Sequence, residues 1–195
     1  MLLKTGQQLS KAVSSLIIKR NYCKPPPEPW FNKASYSWFL PVQTRWKDND
    51  QYLHMNNAVY HSIFDTVINV YLIRHIGLDI YSTNTPIGYM ISGNCTFLGS
   101  ARFPEVYLAG LGIAKIGNSS LHYRLSLFPQ LTEGEDVELN LVTGHKGSDP
   151  EVGRFAERGL VLGEYTHVFV DPHNKRPTPV RKEWTQKLEK LLIRC

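Results

Sequence analysis

The stretch Arg45-Trp46-Lys47-Asp48-Asn49-Asp50-Gln51-Tyr52-Leu53-His54-Met55-Asn56-Asn57-Ala58-Val59-Tyr60 closes one pattern and opens another. Before it, Tyr36 to Trp46 alternates as a strand, with Trp38, Leu40, Val42 and Thr44 on one side. Pro41 marks that strand as an edge or a bulged one. After it, Val59, Tyr60, Ile63, Phe64, Val67, Ile68, Val70, Tyr71 and Ile73 recur at helical spacing and predict a helix from Asn57 to about Ile76. Asn56 or Asn57 suits its start, and Arg74, His75 and Gly77 suit its end. A helix apolar over most of its circumference is expected to be enclosed. The polar loop sets Asp50 beside helix amides that lack intrahelical acceptors. Such amides can polarise a carbonyl while a carboxylate activates water.

Four more strands are expected, over Gly88–Phe97, Glu105–Ile116, Leu121–Phe128 and Gly159–Val170, with no second long helix among them. The order predicts an α+β fold in which one antiparallel sheet wraps around a long central helix. Gly110, Gly112 and Ala114 share a face, which would admit a helix or a thin acyl ligand, or mark a bulge. Residues 130–158 are polar and glycine-rich and read as a hairpin excursion or loop. Trp184, Leu188, Leu191 and Leu192 pattern the last residues, 184–195, as a C-terminal amphipathic helix packed on the domain or on a partner subunit.

The net charge of +5 is concentrated at one end. Lys4, Lys11, Lys19, Arg20 and Lys24 fall in residues 1–24, with no acid before Glu28, and they alternate with Leu9, Ala12, Val13, Leu16 and Ile17. That pattern reads as a mitochondrial targeting segment, implying a matrix location. A cut after Tyr22 would remove four of the five net charges, leaving a domain near neutrality and no basis for a nucleic-acid partner. The segment's apolar runs are too short for a transmembrane span. Pro25-Pro26-Pro27-Glu28-Pro29 opens a linker over 25–34, and the domain proper is expected over 35–183. Cys23, Cys95 and Cys195 have no metal-ligand spacing and give no disulfide framework. His61, His75, His122, His145, His167 and His173 are dispersed, so no metal is expected. Without a phosphate loop or dinucleotide fingerprint, no cofactor is expected either.

The first loop, with its Arg45, Asp48, Asp50, His54, Asn56-Asn57 and Tyr60, resembles the signature of the 4-hydroxybenzoyl-CoA thioesterase-like family of hotdog-fold acyl-CoA thioesterases. Lys115-Ile116-Gly117-Asn118-Ser119-Ser120-Leu121 resembles that family's turn between middle strands. His167-Val168-Phe169-Val170-Asp171 with Arg176-Pro177-Thr178-Pro179-Val180 resembles its last strand and exit. The resemblance covers roughly residues 36–183. It implies a hotdog fold, a homodimer or dimer of dimers with sites at the subunit interface, and hydrolysis of acyl-CoA or acyl-carrier protein to a free (fatty) acid and a thiol. By the same resemblance Asp50 acts as general base or nucleophile, and the Asn57 backbone N–H points at the thioester oxygen.

Beside these roles stand plainer ones. Asp50 also suits an Asx-turn at the helix dipole. Asp48 orders the loop or competes as the carboxylate. His54 orients Asp50, contacts substrate or bonds the loop backbone. Asn56 caps the helix, and Tyr60 packs beneath the site. The glycine usual before the histidine in that family is here Leu53. Carrier recognition falls to a basic residue such as Arg102, Lys115 or Lys146. The alternative to hydrolysis is a non-catalytic hotdog binding or scaffold subunit; a hydratase on the same fold comes third.

Overall fold

A computed structural model describes residues 28–132 and 140–193. The expected targeting segment 1–24, Cys23 and Cys195 lie outside the described residues. The elements run β1 (Trp38–Gln43), α1 (Asn57–Tyr71), β2 (Ile87–Phe97), β3 (Val106–Ile116), β4 (Ser120–Pro129), β5 (His145–Lys146), β6 (Val161–Val170) and α2 (Lys182–Leu188). The strands form one antiparallel sheet in the order β2-β6-β4-β3-β1-β5. This is the α+β arrangement expected from sequence, with the hotdog sheet curved around α1.

Helix α1 buries Tyr60, Ile63, Phe64, Val67, Ile68 and Tyr71, the i, i+3, i+4 stripe of an amphipathic helix. A π-helical turn extends it from Leu72 to Ile76, and Gly77 at φ 87° ends it in the left-handed region. The stripe packs on Leu111, Tyr123, Leu125, Leu127, Val161, Tyr165 and Phe169 from the concave side of the sheet. Close approach depends on Gly163, where a Cβ would sit 2.7 Å from the Phe64 ring. Against expectation, the helix is not enclosed in the single chain. His61, Ser62, Asp65 and Thr66 form an exposed polar stripe, because the sheet covers only the opposite half.

The convex face carries a second cluster of Tyr36, Phe39, Leu108, Phe128, Val152 and Phe155. Gly110 and Gly112 belong there and admit neither a helix nor a ligand. A Cβ at Gly110 would meet Tyr36 at 2.8 Å, and one at Gly112 would meet Ile193 at 2.6 Å. The register of β3 against β4 shifts between Ile113 and Lys115, the bulge alternative. Pro41 lies beyond the two-residue β5, where β1 is an edge. In the 130–158 excursion the described part holds β5 and a 3-10 turn at Pro150–Arg154. Residues 28–34 fold back with Phe31 and Lys33 buried, and the Lys33 ammonium donates to the Val152 and Phe155 carbonyls. Helix α2 starts at Lys182 rather than residue 184 and continues as a 3-10 turn to Leu191. Trp184, Leu188 and Leu191 enter the main core, so it packs on its own domain.

His167 on β6 is buried with neither ring nitrogen hydrogen-bonded, edge-on to Tyr123 at 5.1 Å. Burial lowers its pKa, with Asp65 opposing. The unfolded chain takes up that proton near the ordinary value of about 6.5, the folded chain only at lower pH. Stability is therefore kept above that value and lost as pH falls below it. In His167→Leu the decline in melting temperature between about pH 7 and pH 5 should shrink; an unchanged decline would show that this imidazole already protonates freely in the fold.

Candidate active site

The loop from Thr44 to Asn56 is stitched to residues 99–105. Thr44 Oγ1 donates to the Glu105 carbonyl at 2.6 Å, Met55 N–H to the Ala101 carbonyl at 2.8 Å, and Phe103 N–H to Asn49 Oδ1 at 3.0 Å. Asp48 is buried and accepts from the Arg45 N–H at 2.8 Å and the Arg45 guanidinium at 3.0–3.1 Å. Its carbonyl takes the Asn56 N–H at 2.8 Å. Asp48 thus has the loop-ordering role, and with its carboxylate engaged it is a poor competitor for chemistry.

Asp50 opens a tight turn. Its N–H donates to the His54 carbonyl at 2.8 Å, and its Oδ1 accepts from the Tyr52 and His54 amides at 2.8 and 3.3 Å. The Asx-turn reading therefore holds, and it leaves Oδ2 without a hydrogen-bond partner among the described residues. His54 orients Asp50 through its backbone, while its side chain is exposed. Leu53 sits at φ 62°, the left-handed conformation that a glycine adopts without strain.

Asn56 caps α1, its Oδ1 accepting the Ala58 N–H at 2.9 Å. The Asn57 N–H, first in the helix, has no acceptor among the described residues and carries the positive end of the helix dipole. Tyr60 does more than pack: its hydroxyl accepts the Ala101 N–H at 2.8 Å and its ring meets Phe97 edge-on at 5.2 Å. Burial raises the Tyr60 pKa against the pull of the Ala101 amide, and the charges of Cys95 and Asp50 add smaller upward contributions.

Cys95 leads to residues that sequence reasoning passed over. Tyr165 OH bonds His61 Nδ1 at 2.8 Å and Cys95 Sγ at 3.3 Å, linking α1, β6 and β2 one helical turn beyond Asn57. The i, i+4 relation of Asn57 and His61 was the available signal; the strand partners were not visible. Burial raises the Cys95 pKa and keeps the thiol protonated, so it acts as a hydrogen-bonding group rather than a thiolate. On the other flank of α1, a cleft of about 260 Å³ lies between Leu40, Val42, Ile63, Val67, Val70 and Leu141 and reaches Arg45 and Asp48. Of the basic candidates, Arg102 lies in the segment bonded to this loop, Lys115 near the far end of β3 and Lys146 on β5. Among the described residues no three His, Cys, Asp or Glu side chains converge as a metal site, and no helix is long and apolar enough to cross a membrane.

Residues 44–188 match the Thioesterase-like superfamily. The PA5185 protein of Pseudomonas aeruginosa is 33% identical, with a TM-score of 0.67 over 83% of this chain and 96% of that one. A 4-hydroxybenzoyl-CoA thioesterase variant complexed with 4-hydroxybenzoyl-CoA is 17% identical, with a TM-score of 0.57 over 78% and 99% of the two chains. A 1,4-dihydroxy-2-naphthoyl-CoA thioesterase from Synechocystis is 13% identical, with a TM-score of 0.59 over 80% and 97%. These last two likenesses carry the fold alone. No curated protein matches the chain.

The Leu53 backbone generates a test of the loop. Its side chain is 71% exposed and contributes little packing. Leu53→Gly should raise the free energy of unfolding by up to about 1 kcal/mol, the left-handed penalty less glycine's greater freedom in the unfolded chain. Urea denaturation measures this; a clear loss of stability would mean that the leucine side chain holds the turn.

Proposed function

The chain belongs to the Thioesterase-like superfamily, and on that premise we propose that it is an acyl-CoA thioesterase of the 4-hydroxybenzoyl-CoA thioesterase-like branch, releasing a free carboxylic acid and CoA. The observation that carries this reading is the pairing of a half-engaged carboxylate, Asp50, with an open helix amide, Asn57 N–H. With Oδ1 tied to two amides, Oδ2 takes a proton from water as the water oxygen attacks the thioester carbon. The developing oxyanion is held by Asn57 N–H and the α1 dipole. Collapse expels the CoA thiolate, which recovers the proton. A thiolate leaves readily, so oxyanion stabilisation is the demanding task, and the site is built around it.

The solved relatives named for CoA esters favour CoA as the thiol carrier over acyl-carrier protein. The aliphatic side chains of Leu40, Val42, Ile63, Val67, Val70 and Leu141 in the cleft beside α1 favour an aliphatic acyl group. The basic amphipathic segment 1–24 favours delivery to the mitochondrial matrix. Asp50→Asn keeps the shape and removes the base. Its kcat on acyl-CoA should fall about a hundredfold or more with KM little altered. Equal turnover by the variant would remove Asp50 from the chemistry, and no turnover by either protein would favour the non-catalytic subunit.

The active unit in this reading is a homodimer. Among the described residues strand β2 pairs only with β6, leaving one edge open, and Tyr89, Met90, Ile91, Phe97 and Leu98 along it are exposed. An open apolar edge is a template for another strand. A second copy pairing antiparallel along β2 meets the same edge, as two-fold symmetry requires. Phe97 touches Tyr60 and Cys95 joins Tyr165, so the interface borders the first two turns of α1. Ile91→Lys should halve the mass measured by light scattering and lower turnover with it. A variant of undiminished mass would place the interface elsewhere.

A further inference from the structure

At the opposite end of α1 from Asn57, about 21 Å along the helix at 1.5 Å per residue, lies a groove of about 1040 Å³ that plays no part in the proposed chemistry. Four separate segments build it: 34–38 before and at the start of β1, Tyr71 and His75 at the end of α1 and in the π-helical turn after it, Thr143–Asp149 around β5, and Lys187, Lys190 and Leu191 at the end of α2 and just beyond it. The backbone fixes their positions. Trp38 pairs with Lys146, Gly147 N–H donates to the Ser37 carbonyl at 3.0 Å, and Ser37 Oγ donates to the Lys190 carbonyl at 2.9 Å. Trp38 Nε1 and His75 Nε2 both reach the Thr143 carbonyl, at 3.1 and 2.9 Å. Gly144, at φ 70°, lies so close to β1 that a Cβ would meet the Phe39 carbonyl oxygen. The groove is therefore held open by its own framework.

Its charge is one-sided. Lys146, Lys187 and Lys190 come together from positions some forty residues apart in the chain, and none has a carboxylate within ion-pair distance among the described residues. Lys187 Nζ donates to the Ile76 carbonyl at 3.1 Å, offsetting the negative end of the helix; the other two ammonium groups have no partner among the described residues. Among the described residues Asp149 is the one acid in the lining, and it is occupied by the Lys146 N–H at 2.9 Å and His145 at 3.5 Å. Among the described residues no arginine lines the groove, and the lysines present offer point charges rather than the planar fork that grips a carboxylate. Compact ammonium charges from two segments, with the Ser148 hydroxyl, suit the tetrahedral oxygens of a phosphate. The volume exceeds what an inorganic ion needs and fits a ligand of nucleotide size.

We propose that this groove is a second ligand site, separate from the Asp50 centre, that binds an organic phosphate ester through Lys146, Lys187 and Lys190. The ester is either a soluble nucleotide-type phosphate or the headgroup of an anionic phospholipid, and the two sources are separable. The full chain is titrated calorimetrically with adenosine 3′,5′-bisphosphate, and in parallel floated with phosphatidylcholine vesicles with and without phosphatidylglycerol. The variants are Lys146→Gln with Lys190→Gln, both exposed residues whose side chains carry no structural contact among the described residues, and Asp50→Asn. Saturable binding of the bisphosphate or selective binding of the anionic vesicles is expected. Loss of two charge-assisted contacts should weaken it at least about tenfold, and Asp50→Asn should leave it unchanged. Binding that is insensitive to the lysine pair, binding lost in Asp50→Asn, or no binding of either probe would overturn the assignment.

Discussion

The contact on which the rest of the structure depends is the seating of Phe64 over Gly163. A side chain at position 163 would stand 2.7 Å from that ring, so the glycine sets how deeply α1 sinks into the sheet. Tyr165, two residues along β6 and on the same face, packs against Phe64 at 5.9 Å and bonds His61. The helix is thereby held in height by an apolar contact and in rotation by a polar one. Both constraints lie in the first two turns, nearest the end where Asn57 presents its amide. A helix seated higher would carry that amide away from the Asp50 turn, because the turn is anchored independently to residues 99–105.

That second anchorage explains why a strained residue persists. The turn from Asp50 to His54 closes with Leu53 at positive φ, a conformation costing a non-glycine residue about 1–2 kcal/mol. The turn is over-determined by the Asp50–His54 backbone pair, the Asn49–Met55 bridge and the pairing of buried Asp48 with Arg45. Two carboxylates two residues apart receive different environments from this arrangement. Asp48 is enclosed and saturated with donors, whereas Asp50 has one oxygen fixed and one open. The division of roles follows from which carboxylate the loop consumes for its own stability.

Much of this was legible in the sequence because the signals were local. The helix stripe, its Asn56 cap and its Gly77 stop depend on residues within a few positions, and β2, β3, β4 and β6 alternate clearly enough to be bounded within one or two residues, whereas β1 stops three residues before Trp46 and the two-residue β5 carried no strand signal. What escaped depended on contacts between distant segments. His61 looked like one of several scattered histidines until Tyr165 and Cys95, about 104 and 34 residues on, stood beside it. Gly110 and Gly112 read correctly as positions needing a small residue, but the sequence has no marker for which face of the sheet meets Tyr36 and Ile193. The polar stripe at His61, Ser62, Asp65 and Thr66 was present in the helical pattern, yet the density of apolar residues around it masked the open side.

The two flanks of α1 differ in chemistry, and the difference supports the proposed orientation of the substrate. Along β1 the flank is a cleft more apolar than polar, in which Leu40, Val42, Ile63, Val67, Val70 and Leu141 stand with Gln43, Ser62 and Thr66, and it ends at Arg45 and Asp48. Along β2 it is polar, with His61, Tyr165 and Cys95 in a hydrogen-bonded line. An acyl thioester has the same division: an apolar chain on one side of the carbonyl, a polar carrier arm on the other. The helix N-terminus lies where the two flanks meet, and it is also where an amide is free and the dipole is positive. The carboxyl end of α1 meets none of these conditions, since its last carbonyls are capped by Lys187 and the Gly77 turn. Placing the carbonyl at Asn57 therefore satisfies the chain, the carrier and the developing oxyanion with a single orientation of the substrate.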